Sequence, residues 1–96
     1  MLILRSLMRG AEHGYGIAAG LKQLSDDVLQ VGEGSLYPAL QRLLVNGLVK
    51  SEWKVTDNNR RARFYTITPA GRKQLARETE QFERMVQAIQ KVMQTA

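Results

Sequence analysis

Leu36, Leu40, Leu43 and Leu44 recur at i, i+4, i+7 and i+8 around the run Gly34-Ser35-Leu36-Tyr37-Pro38-Ala39-Leu40-Gln41-Arg42-Leu43. That spacing predicts a helix with a single buried stripe. Tyr37, Pro38, Gln41 and Arg42 then fall on the opposite side, where hydrogen-bonding and cationic groups face outward. Ser35 is expected to cap the orphan amides of the first turn. Pro38 would then lie within that turn, where its missing N–H breaks no intrahelical bond. A short helix, firmly anchored and polar on its N-terminal face, suits the major groove of a duplex. An ordinary amphipathic core helix carries the same stripe, so the choice rests on the residues C-terminal to it.

Beyond Asn46 the hydrophobic period changes. Residues 48–55 and 63–67 read as two strands, rich in Val, Trp, Tyr, Phe and Ile. The connection at 56–62 has the Asn and Asp content of a loop that tolerates left-handed backbone. Asn46-Gly47 terminates the preceding helix, and Thr68-Pro69 opens the next one with a cap and a first-turn proline. Upstream, Leu2, Ile3, Leu7 and Met8 predict a helix that ends near Gly10. A second helix is expected over residues 15–24, with Ile17, Ala18, Leu21 and Leu24 at helical spacing. His13-Gly14 forms its opening turn and Ser25-Asp26-Asp27 its exit.

Three helices and then a basic hairpin is the order of a winged helix-turn-helix. The predicted class is therefore mainly α with a small β-hairpin, plus a long C-terminal helix. Residues 1–68 would form the DNA-binding unit and residues 69–96 a dimerisation helix. The formal charge of +5 supports this division. Residues 1–46 are neutral, whereas residues 47–68 carry five basic groups against two acidic ones. Lys54, Arg60, Arg61 and Arg63 cluster on the hairpin, where they can meet phosphates or enter a minor groove. A solvated surface hairpin would need no such partner. Trp53 and Tyr65 are expected to pack against the core rather than stack on bases.

The last helix carries a second signal. Leu75, Thr79, Phe82, Val86, Ile89 and Met93 show 4-3-4-3-4 spacing, and Met85 and Val92 widen the stripe. A helix of about 25 residues spans roughly 37 Å, more than a domain of this size covers. The seam of Leu75, Phe82, Met85, Val86, Ile89, Val92 and Met93 is therefore expected to pair with a second copy of the chain.

Other classes find little support. The chain has no cysteine and one histidine, which leaves no nucleophile–base pair and no metal-ligand cluster. No cofactor is expected, and His13 reads as a turn or capping residue. No apolar run approaches the ~20 residues of a membrane span, so a cytoplasmic location is the default. A winged-helix module that binds protein instead of nucleic acid is the remaining alternative.

The chain resembles the PadR family of bacterial transcriptional regulators along nearly its whole length. The matching segments are HGYGI at 13–17, EGSLYPALQRL at 33–43, GLVKSEW at 47–53 and NNRRARFYTITPAGR at 58–72, and then a single C-terminal helix. TPAG-like turns also occur in MarR-type regulators, so the specificity lies in the order and spacing of the segments. The resemblance implies a homodimeric repressor on an inverted-repeat operator. In the family, the helix matching residues 35–46 enters the major groove, the wing contacts flanking backbone, and the C-terminal helices with helix one build the dimer interface. Ser35, Tyr37, Pro38, Gln41 and Arg42 would then meet the major groove. Some members release DNA when a small aromatic molecule binds near that interface. Trp53, Phe82, Met8, Met85 and Met93 are the residues that would line such a cleft, although packing of the core and seam is the preferred role for them. Family members carry several more residues before the position of Met1, so helix one is expected to be short.

Overall fold

Helix α1 (Leu2–Leu7), strand β1 (Glu12–His13), helices α2 (Gly14–Leu24) and α3 (Glu33–Val45), strands β2 (Val49–Val55) and β3 (Arg61–Ile67), and helix α4 (Pro69–Thr95) succeed one another in that order. They are seen in a computed structural model that describes residues 1–95. Leu4 and Leu7 of α1, Ile17 and Leu21 of α2, Leu36 and Leu40 of α3, Val49, Tyr65 and Ile67 of the sheet, and Leu75 of α4 form one core. Among the described residues, no helix is long and apolar enough to cross a membrane.

The helix ends obey local chemistry. At the end of α3, Gly47 takes φ +70°, and the amides of Leu48 and Gly47 bond the carbonyls of Leu43 and Leu44 at 2.9 and 3.1 Å. This is a Schellman closure. Thr68 opens α4 as its sequence implies: the Gly71 amide donates to Thr68 Oγ1 at 3.0 Å. The same hydroxyl donates to the Gly47 carbonyl at 2.7 Å, so one side chain joins the exit of α3 to the start of α4. Gly71 lies directly against the Leu48 carbonyl oxygen, leaving no room for a Cβ.

Three expectations change. The first concerns α3, which begins at Glu33 with Gly32 as its cap and no side-chain cap bond. Ser35 is therefore inside the first turn, and Pro38 lies inside the helix rather than in its opening turn. Val31 and Leu36 both pack on the core, at the two positions of a hydrophobic staple, and so fix an earlier start. Pro38 removes the amide that would have bonded the Gly34 carbonyl, and exposed Gly34 leaves that carbonyl to water.

Second, the sheet has three strands rather than two, in the order β1-β3-β2, all antiparallel. Glu12 pairs with Tyr65 and His13 with Phe64. Third, Leu75 belongs to the core of its own chain, so the exposed apolar stripe of α4 begins at Phe82. Beyond Glu83, the last residue of α4 to border Arg5 and Met8, the side chains of α4 are almost all exposed. Phe82, Met85, Ile89, Val92 and Met93 are exposed and Val86 is half-buried. The molecule is accordingly 56 Å long against 29 and 22 Å in the other directions.

Candidate nucleic-acid interface

Helix α3 presents two chemically distinct faces. Leu36 and Leu40 are buried, with Leu43 and Leu44 partly so, while Ser35, Tyr37, Pro38, Gln41 and Arg42 are all exposed. The five candidate groove residues thus share the outward side. Tyr37 has a second contact: its ring lies against Gly14 at the start of α2. A Cβ there would sit 2.8 Å from Tyr37 Cε1, so Gly14 permits the ring to bridge the two helices.

His13 sets the start of α2. Its Nδ1 accepts the Gly16 amide at 2.9 Å, and its ring meets Phe64 edge-on at 5.2 Å. The cap places Tyr15, 77% exposed, at the mouth of a groove between the start of α2, Tyr37 and the hairpin. This groove encloses about 880 Å³ and is lined on the hairpin side by Trp53, Arg60, Arg61, Arg63 and Tyr65.

The register of the hairpin decides which cations face that groove. Side chains of directly paired residues share a face. Val49 pairs with Ile67, Ser51 with Tyr65, Trp53 with Arg63 and Val55 with Arg61. The face that is core at the base of the sheet therefore carries Trp53, Arg63, Val55 and Arg61 toward its tip. Arg63 donates to Ser51 Oγ at 2.9 Å and lies over the Tyr65 ring at 5.8 Å, while Arg61 lies over Trp53 at 5.4 Å. Arg60 closes the tip, where its carbonyl accepts the Thr56 amide at 2.7 Å and Asn59 takes φ +59°.

Lys54 is separated from the other three cations. It pairs with Ala62 on the opposite face, where its ammonium meets Glu52 at 3.1 Å and the Phe64 ring at 5.5 Å. Among the described residues, no ion pair engages Arg42, Arg60, Arg61 or Arg63.

Trp53 also departs from expectation. Tyr65 is buried as anticipated, but Trp53 is 60% exposed on the groove side of the hairpin. It does not fill the core, because the core ends one residue pair below it. Nor does it join Met8, whose sulfur accepts from Arg72 at 3.6 Å. Within the single chain Trp53 therefore lies apart from Met8 and from the exposed Phe82, Met85 and Met93 of α4. Tyr15 and Gly14 also line the groove, and the sequence patterning does not single them out, although the HGYGI segment contains both.

His13, Asp26 and Asp27 have the turn and capping roles that their positions imply. His13 is a helix cap, and Asp26 and Asp27 hold left-handed backbone, φ +53° and +67°, in the turn after α2. Glu78, outside the groove, has its carboxyl held below the usual range, first by the amide of Gln74, which donates to it at 3.0 Å.

A helix-turn-helix of α2 and α3, flanked by a three-stranded sheet with a basic hairpin, defines a winged-helix protein. Residues 3–77 match the transcriptional regulator PadR-like family, and the chain belongs to that family. The family is one of regulators, not of enzymes. A transcriptional regulator of Mycobacterium tuberculosis is 38% identical over 68 residues, covering 71% of this chain and 63% of that protein. The chain spans 23% and 63% of the lengths of two curated relatives that it matches. A transcriptional regulator from Clostridium thermocellum superposes with a TM-score of 0.86 at 32% identity, covering 94% of this chain and 87% of the other. Bacillus subtilis PadR, solved in complex with operator DNA, shares the fold with a TM-score of 0.72 at 23% identity, over 81% of this chain and 43% of its own.

Proposed function

We propose that this chain is a sequence-specific DNA-binding repressor that acts as a homodimer on an inverted-repeat operator. The observation that carries the reading is the convergence of three elements on one groove: Tyr37 from the exposed face of α3, the start of α2, and the Arg60-Arg61-Arg63 side of the wing. Gln41 has the amide that pairs bidentately with adenine, and Arg42 the fork that reads guanine or holds a phosphate. Ser35, Tyr37 and Pro38 fit against the same major groove. Arg60, Arg61 and Arg63 hold backbone or minor groove, whereas Lys54, paired with Glu52, is left out of the contact set. Residues 1–68 carry the DNA contacts and α4 carries the dimer seam, with Gly71 and Leu75 joining the two parts through the core. The likeness of fold to Bacillus subtilis PadR, solved in complex with operator DNA, supports a duplex as the partner. Repression results from occupancy, since a dimer seated on an operator excludes other proteins from it. Release by a small aromatic effector, if it operates, would use a cleft at the dimer seam beside Phe82, Met85 and Met93, whereas Trp53 lines the groove of the wing.

The test is a binding titration on a labelled duplex at several salt concentrations. The affinity is expected to fall with salt, with a slope of about −0.9 per phosphate contact. Arg60→Ala and Arg61→Ala should each lower that slope by roughly one per lost phosphate contact, hence by about two for a dimer. A chain that binds no duplex at low salt would contradict the reading and favour a protein-binding winged helix.

A further inference from the structure

Trp53 is the single tryptophan of the chain, and its exposure needs an explanation. An indole left 60% exposed on a strand is not a core residue. Neither is it loose. Arg61, its diagonal neighbour across β2 and β3, lies over the ring at 5.4 Å, within the range of a cation–π contact. Arg63, directly opposite Trp53, is fixed in a similar way by Tyr65 and by Ser51 Oγ. Guanidinium groups and aromatic rings therefore alternate along the side of the wing that faces the groove.

This arrangement has two chemical requirements for whatever it meets. The surface must be anionic, to satisfy Arg61 and Arg63, and it must offer a flat apolar area at the same height, to cover the indole. The wall of a DNA minor groove provides both, since deoxyribose rings lie between successive phosphates. A narrow, A·T-rich minor groove also concentrates the negative potential that draws arginine inward.

We propose that Trp53 is a DNA-contacting and positioning residue. Its ring packs on the sugar wall of the minor groove flanking the base-reading site and holds Arg61 aimed into that groove. The inference rests on the DNA-binding reading above and extends it to a preference for A·T-rich flanks, read through shape rather than base identity.

Because Trp53 is the only indole, its fluorescence reports on this contact alone. Acrylamide quenching is expected to fall several-fold when the whole protein is saturated with an operator duplex. Trp53→Ala should weaken binding about three- to tenfold, the range of a partly exposed cation–π contact plus lost ring packing. Trp53→Phe should recover most of that loss. The ratio of affinities for A·T-flanked over G·C-flanked duplexes should drop alike in Trp53→Ala and Arg61→Ala. Their double variant should lose less than the product of the single losses. If Trp53→Ala fails to fold, the quenching experiment and Trp53→Phe still decide. A saturated complex in which Trp53 stays as accessible to acrylamide as in the free protein would overturn the inference while leaving DNA binding intact. Absence of binding to any duplex would instead overturn the DNA reading itself.

Discussion

Replacing Phe82 and Ile89 together by alanine tests whether the projecting half of α4 is the dimer seam. Each residue is 53% exposed in the single chain, so about half of its surface remains to be covered by a partner. Full burial of such a side chain stabilises by about 1.5–3 kcal/mol, which puts roughly 1 kcal/mol per site at stake. In a two-fold dimer both sites occur twice, giving about 4 kcal/mol and on the order of a thousandfold in the dissociation constant. The folded domain should survive, because the core lies between Leu4 and Leu75 and alanine favours helix. Sedimentation equilibrium over a concentration series reads the constant, and far-UV circular dichroism confirms the helices. Gln87→Ala, on the other side of α4, should leave the constant unchanged. A double variant that dimerises as tightly as wild type would refute the seam, as would a wild-type protein that is monomeric at micromolar concentration.

Two further substitutions have specific outcomes. Gly71→Ala forces a Cβ against the Leu48 carbonyl, a backbone atom that cannot rotate away. The cost is expected at about 1–3 kcal/mol, as for other overpacked sites, and an unchanged melting temperature would contradict the packing described. Gln41→Ala should narrow the affinity gap between operator and random duplex by about 1–3 kcal/mol per half-site if the amide reads a base bidentately. A gap that stays constant would remove Gln41 from the base-reading set.

Much of the fold is legible locally. Asn46-Gly47 and Thr68-Pro69 mark the end of α3 and the start of α4 because left-handed backbone and a hydroxyl cap are properties of those residues themselves. The same logic fails at Ser35. A good capping side chain is overruled there by the burial of Val31 and Leu36, which is a tertiary effect. Strand β1 is invisible for another reason: two residues have no period. The cations of the wing are recognisable as a cluster, but their division is not. Whether Lys54 shares a face with Arg61 and Arg63 depends on the pairing register, and one residue's difference in the turn would invert it. Trp53 is misplaced by the same gap, since aromatic residues in strands are normally buried and only the register shows that the core stops below it.

Selection of bound duplexes from a random library by the whole protein tests the central claim most directly. A dimer that presents α3 and its wing twice should enrich an inverted repeat, with half-sites separated by one helical turn, about 34–36 Å, or a multiple of it. Alanine substitution of Gln41 should relax that sequence, while Arg60→Ala should lower the yield without changing it. Enrichment of no sequence at all, or of an unrepeated site bound by one chain, would contradict the account of a dimeric, base-reading regulator.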